Sequence, residues 1–296
     1  AAQMTENITL SVRVGNEELS RKTYTIADYA AGLLEGNFGN DTKDIAKALL
    51  HYGAMAQQYF DYRIDDLANA KYKMDTLPVV PSEMLQVGMH GAVTGIRFYG
   101  ATLVFKEKIA IRYYFTASVD ISTVAFSVDD ISYAAQEKDG LYYVEVAGIA
   151  PQEYDRLTCM TVNRGNESLT VQYSPLHYIA RMYHSNSASV YLKNLVQGLY
   201  GYHLAAINYV SRTIHTVSFS DGVPAQGIEN GACANKPIQP VKEGYRFIGW
   251  YIGEQVFDFS VPITSDVSLT AKWEAYGSDV WADFNRKTDI LTNSSD

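Results

Sequence analysis

Two stretches lying 150 positions apart repeat one pattern of helix-facing residues, and this repeat restricts the fold more than any other feature of the chain. The segment DTKDIAKALLHYGAMAQQYF (41–60) places Ile45, Leu49, Tyr52, Ala56 and Tyr59 at steps of 4, 3, 4 and 3, which line one face of a helix. LVQGLYGYHLAAINYV (195–210) places Leu195, Leu199, Tyr202, Ala206 and Tyr209 at the same steps, and four of the five residues are identical. Just upstream, YTIADYAAGLL (24–34) is answered by YSPLHYIARMY (173–183) at an offset of 149, so that Tyr24 and Tyr29 correspond to Tyr173 and Tyr178. Amphipathicity demands the spacing but not the tyrosines, so the match reads as a duplicated strand-then-helix-pair unit. Gly53, Ala54 and Ala56, like Gly201, Ala205 and Ala206, slim the seam for a neighbouring helix or sheet, with tyrosines clamping either side. Asn40 or Asp41 is placed to cap the longer helix.

Strands surround these helices. ENITLSVRV and SRKTYTI flank Gly15-Asn16 and predict a hairpin. Residues 74–94 mix Pro, Gly and polar residues and read as a connector. KIAIRYYFTA, TVAFSV, GLYYVEVAG, RLTCMTVN and SLTVQYS then alternate with turn signals, predicting an antiparallel sheet or small sandwich up to residue 173. Near the end, Val217 and Phe219 alternate in one strand and Leu269 and Ala271 in another. Gly244 turns the chain, and Trp250 and Trp273 supply buried apolar area to a small domain. The tail 276–296 carries Trp281 and Phe284 and reads as a docking segment or the start of another module.

The expected class is therefore α+β and multi-domain. Residues 1–75 form a hairpin plus helix pair, and 76–212 antiparallel β plus a helix pair that can pack with the first. Residues 213–275 form a small β module, and 276–296 a tail.

A net charge of −9, spread so that no segment is basic, argues against nucleic acid and anionic membrane, both of which need clustered Lys and Arg. No apolar run approaches the roughly 20 residues that span a bilayer. The opening AAQMTENITL has neither a basic stretch nor an apolar core, so it shows no signal peptide and reads as the start of an excised piece. Cys159 and Cys233 fall in different predicted domains and read as two buried thiols.

The chemistry-bearing residues form no recognised constellation. The histidines, His51, His90, His177, His184, His203 and His215, make no HExxH pair and no Cys–His spacing suited to zinc. Cys159 lies in a predicted strand, whereas a nucleophilic thiol wants an electropositive, open setting. Asp65-Asp66 and Asp129-Asp130 read as solvated turn residues, because no calcium-loop pattern contains them. The expectation is no enzyme, no catalytic residue, no metal, no cofactor and no identified binding residue. What stands out is 23 tyrosines against 11 phenylalanines. Tyrosine suits binding surfaces because it joins apolar area to a hydroxyl. Tyr62, Tyr72 and Tyr200 fall off the helical stripe and are the first places to seek an exposed patch.

HTVSFSDG, KPIQPVKEGYRFIGWY and FDFSVPITSDVSLTAKWE closely resemble the Listeria–Bacteroides B repeat of internalin-type surface proteins, with aromatic, Gly and Pro landmarks in the family's order. That resemblance implies a β-grasp-like fold and an exported, cell-surface setting. Asp221-Gly222, where the family often has a Gly pair, and Cys233 depart from the pattern. LHYGAMAQQYF, AIRYYF and SPLHYIAR, over about residues 20–210, resemble a module of large secreted proteins of gut Firmicutes. Together these imply a non-catalytic, adhesin-like fragment of an extracellular protein that engages a host or environmental macromolecule, with immunoglobulin as a specific candidate. A structural stalk and a carbohydrate-binding accessory domain of a secreted hydrolase are the alternatives.

Overall fold

The structure, a computed structural model, describes residues 2–105 and 109–276. The stretch with Trp281 and Phe284 lies outside them. The chain divides into two compact units, residues 1–36 with 41–211, and residues 37–40 with 212–296. Both contain antiparallel sheet, and the first adds four helices, giving a mixed α+β chain.

The first unit opens with a 3-10 turn at Ala2–Thr5 and a hairpin of β1 (Ile8–Val14) and β2 (Glu17–Tyr24). Gly15 turns it at φ +61, a conformation that favours glycine. The register slips between Val12 and Arg13, leaving Leu19 as an extra residue in β2. Helix α1 (Ile26–Glu35) starts in a capping box: Thr25 Oγ1 accepts from the Asp28 N–H at 2.9 Å, and Asp28 Oδ2 accepts from the Thr25 N–H at 3.0 Å.

Helix α2 spans Asn40–Tyr59 and is buried on more than the single predicted stripe. Ala46 and Leu50 pack with Met4 and Ala30 in a small cluster, whereas Tyr52 and Ala56 join the main core. Ile45 and Leu49 are only half-buried, because the helix is a wall between two cores and shows neither its full face.

Nine strands and two helices complete the first unit. These strands are β3 (Gly88–Ala92), β4 (Ile96–Phe105), β5 (Ile109–Ala117), β6 (Ala125–Val128), β7 (Ile131–Tyr133), β8 (Gln136–Lys138), β9 (Leu141–Ile149), β10 (Thr158–Arg164) and β11 (Glu167–Tyr173). They form an antiparallel sheet of order β3-β11-β10-β6-β7 and another of order β4-β5-β9-β8. Strand β3 corrects the sequence reading of 74–94 as connector throughout. Its GMHGA has little strand propensity, and the pairing of Met89 with Val171 and Ala92 with Ser168 recruits it.

The two sheets face each other across one core. Ile111, Tyr113 and Phe115 of β5 meet Met160, Val162 and Val171 of β10 and β11, all fully buried. Phe115 and Phe126 lie 5.4 Å apart between the sheets, and the Tyr113 hydroxyl bonds Thr158. Alternation of inward and outward residues along β5, β10 and β11 follows from the two-residue strand period. Helices α3 (Pro175–His184) and α4 (Val190–Ser211) add Ile179, Leu195, Val196 and Leu199 to the same core.

In the second unit β12 (Ile214–Phe219), β13 (Gln226–Glu229), β14 (Tyr245–Ile252), β15 (Gln255–Val256) and β16 (Val267–Ala275) form one sheet of order β13-β12-β16-β14-β15. Strands β12 and β16 run parallel, and the other pairs are antiparallel. Trp250 is buried, with the rings of Phe219 and Phe247 edge-on at 4.9 and 5.4 Å. Trp273 is half-buried. Asp221 and Gly222 both take positive φ, +58 and +73, so the departure from a Gly pair is accommodated by Asp in the left-handed region.

Candidate functional site

Of the concave places on the first unit, two are bordered by a hydrogen-bonded arginine. The larger, about 330 Å³, lies along β6, β7 and β9 and includes Asp129, Tyr133, Glu153, Arg156 and Thr158. Its charged groups are committed to local structure. Asp129 Oδ2 accepts from Arg156 at 2.9 Å and Oδ1 from the Cys159 N–H at 3.0 Å, while Glu153 Oε2 accepts from the Ala150 N–H at 3.1 Å. Asp129 and Asp130 sit at φ +47 and +66 in the β6–β7 turn. Asp129 is thus an exposed turn carboxylate, as expected from sequence, that is also hydrogen-bonded locally. In the other Asp pair, Asp66 bridges Arg63 at 2.9 Å and Asp65 is exposed.

The second place is an open groove of about 270 Å³ at the irregularity in β4, lined by Tyr99, Gly100, Thr102, Tyr114, Leu141 and Arg181. Tyr99 is 69% exposed. The Arg181 guanidinium is anchored by donating to the Ala101 carbonyl at 2.7 Å, so an aromatic ring and a fixed cation border one shallow surface.

The sequence-selected tyrosines do not assemble into a patch. Tyr62, Tyr72 and Tyr200 are all half-buried. The Tyr62 hydroxyl donates to Glu6, Tyr72 donates to Glu35, and Tyr200 packs on the main core with its ring 6.1 Å from His203. Of the stripe tyrosines, Tyr52 is buried and Tyr202 half-buried, but Tyr59 lies at the helix end and is exposed. The aromatic residues most open to solvent, Tyr29, Tyr99 and Tyr191, belong to α1, β4 and α4. No sequence signal separates Tyr99 from its buried neighbours, since the irregularity at Gly100 decides which way it points.

The histidines serve as packing and capping groups. His177 Nδ1 accepts from the Ser174 N–H at 3.1 Å, and its Nε2–H donates to the Gln86 carbonyl at 3.1 Å, which fixes the neutral tautomer. Burial holds this imidazole below its ordinary value of 6.5, against the raising effect of the Gln86 and Ser174 bonds. Burial likewise lowers His51. His203 donates to the Pro151 carbonyl at 2.7 Å and stacks on Tyr154; His184 bonds the Val80 carbonyl and His215 bonds Asn230. His90 is exposed on β3. Among the described residues no three His, Cys, Asp or Glu side chains gather as metal ligands. Cys159 and Cys233 are free thiols and half-buried, not buried as expected, because Cys159 falls on the outward-facing side of the central strand β10 and Cys233 lies outside the strands, at an isolated bridge to Pro262. No helix among the described residues is long and apolar enough to cross a membrane.

In the second unit β12 and β16 run parallel at the sheet centre, Trp250 lies in the core and Gly244 takes φ +76 before β14. Residues 215–272 match the Listeria-Bacteroides repeat domain. A protein of Evansella cellulosilytica, named a putative membrane protein, is 36% identical over an alignment of 69 residues that covers 21% of this chain. The match spans about a tenth of that relative's length. The B repeat therefore accounts for the second unit and leaves the sandwich with its helices to be read on its own geometry.

Proposed function

We propose that this chain is a non-catalytic structural segment of an exported cell-surface protein, in which the first unit is a rigid spacer and the B repeat a small β-grasp-like unit beside it in sequence. One observation carries the reading: more tyrosines of the first unit are buried in its packing than are exposed on it. Tyr52, Tyr113, Tyr143, Tyr154, Tyr173 and Tyr178 are buried, and the three tyrosines expected at the surface are half-buried. The surface setting is supported by the B-repeat match. For the second unit, the grasp reading rests on strand order alone, since residues 230–244 contain no helix.

The spacer is itself built from a duplicated unit in this reading. Gly15 and Gly165 turn hairpins at φ +61 and +59, 150 positions apart, each followed by Asn and Glu. Strand β10 spans the positions of β1 plus 150. The extra residue Leu19 accounts for the offset falling to 149 before α1 and α3. Asp28 Oδ2 and His177 Nδ1, 149 positions apart, each accept from the N–H of the residue three before it, Thr25 and Ser174. Such agreement in turns and caps, which amphipathicity does not require, favours descent from one unit.

Interferometry of the purified chain against immunoglobulin and mucin tests the spacer reading, with no saturable response expected. A second reading, engagement of a host macromolecule such as immunoglobulin, draws on the exposed Tyr99 beside the anchored Arg181. Saturable binding abolished by Tyr99→Ala or Arg181→Ala would carry it in place of the spacer.

A further inference from the structure

The hairpin β1–β2 exposes the side chains that a sheet normally buries. Ile8, Leu10, Val12 and Val14 alternate onto one face and are 49 to 65% exposed, joined by Leu19 and Tyr24. Among the described residues neither outer edge of the hairpin pairs with another strand. A lone two-stranded ribbon is marginally stable in water, and six open apolar side chains amount to a patch on the order of a few hundred Å² that normally marks a contact surface.

The duplication states what belongs there. Hairpin β10–β11, 150 positions later, has β6 on one edge and β3 on the other. The positions answering Leu10 and Val12 are Met160 and Val162, fully buried beneath the sheet that contains β4, β5 and β9. Tyr173, which answers Tyr24, is buried as well. The correspondence continues before the hairpins. Met4 is buried against Gly53, whose added Cβ would lie 2.1 Å from the Met4 sulfur. At plus 150, Tyr154 stacks on His203 with ring centroids 5.7 Å apart. Met4 lies within the 3-10 turn Ala2–Thr5, and Tyr154 caps the 3-10 turn Pro151–Glu153. In the later occurrence, strands β3 to β9 come directly before that turn.

We propose that the β1–β2 hairpin is the receiving half of a second sandwich, and that its occupant is a strand set of the same kind as residues 88–149, supplied by polypeptide directly upstream of residue 1. This strand set pairs with both hairpin edges and covers Ile8, Leu10, Val12 and Val14, as β-strand addition does elsewhere. The inference rests on the duplicated-unit reading.

The test compares backbone hydrogen exchange in this chain and in the natural polypeptide extended upstream by roughly 80 residues, the length of the strand-bearing stretch in a domain of this size. In the extended protein the amides of residues 8–24 slow by about 100-fold or more, as expected on entering a cooperative sheet. Leu10→Asp with Val12→Asp removes that slowing while α2 amides keep theirs. If the upstream stretch folds as strands but residues 8–24 exchange equally fast in both proteins, docking is wrong and the duplication stands. If the upstream stretch forms no strands, the duplication reading fails and the proposal with it. If this chain alone dimerises in light scattering with residues 8–24 already protected, the occupant is a second copy and the proposal is overturned.

Discussion

Tyr52 of α2 and Tyr202 of α4 stack with ring centroids 6.0 Å apart and planes 9° from parallel, and they occupy equivalent positions 150 residues apart in the chain. Gly198 makes this approach possible, because a Cβ there would sit 3.3 Å from the Tyr52 Cα. Two helices with the same sequence spacing thus meet through a tyrosine of each, which is a use of the residue in packing and not in display.

The stacked pair should be energetically coupled. In a double-mutant cycle with Tyr52→Leu and Tyr202→Leu, an aromatic pair contributes about 0.5–1.5 kcal/mol beyond its buried area. Urea unfolding of the four proteins measures it, and strict additivity would show that the rings merely lie side by side.

Glycines in the helices should divide by what lies beside them. Gly32 of α1 has nothing within 4 Å of an added Cβ, so Gly32→Ala is expected to stabilise by about 0.5–1 kcal/mol through helix propensity. Gly198→Val drives a branched side chain toward the Tyr52 backbone and should cost about 1–3 kcal/mol. Denaturant midpoints compare the two directly.

Acid should weaken the first unit through His51 and His177. Burial lowers both imidazoles from 6.5, so the unfolded chain takes up protons first as pH falls. Stability is complete above about pH 6.5 and declines below it until the folded imidazoles also protonate. For His177, protonation also removes the acceptor for the Ser174 N–H. Chemical denaturation between pH 7 and 5 measures the slope, which His51→Gln with His177→Gln should flatten.

Tryptophan emission reports on the second unit and the tail, since the three tryptophans are Trp250, Trp273 and Trp281. Trp250→Ala removes the ring between Phe219 and Phe247 and should cost about 3–5 kcal/mol. Trp250→Phe should cost far less, because the buried indole Nε1 has no hydrogen-bond partner to lose among the described residues. The shift in thermal midpoint of each variant checks the order.

The helices were legible in sequence because a 3.6-residue period and a repeated tyrosine pattern leave few alternatives, and the hairpin at Gly15 because its turn chemistry is local. Strand β3 was not, since Gly88 and Gly91 carry no strand signal and only the β11 edge makes that segment a strand. Nor was the double burial of α2, which depends on Met4 and Tyr202 arriving from opposite ends of the sequence. For the candidate sites, composition located the tyrosines but not their exposure. Tyr62 and Tyr72 stay half-buried with their hydroxyls held by Glu6 and Glu35, and Tyr99 turns outward at a strand irregularity that sequence does not mark.

The central claim, that the tyrosines are internal seams, is tested most directly by following phenolate absorbance as the folded protein is titrated with base. Burial raises Tyr52, Tyr113, Tyr154, Tyr178 and Tyr202 above the ordinary value of 10 and takes Tyr173 to about 12. The account predicts that part of the phenolate absorbance appears only together with loss of far-ultraviolet circular dichroism. A single reversible transition near pH 10 covering all 23 tyrosines, with the fold intact, would contradict it.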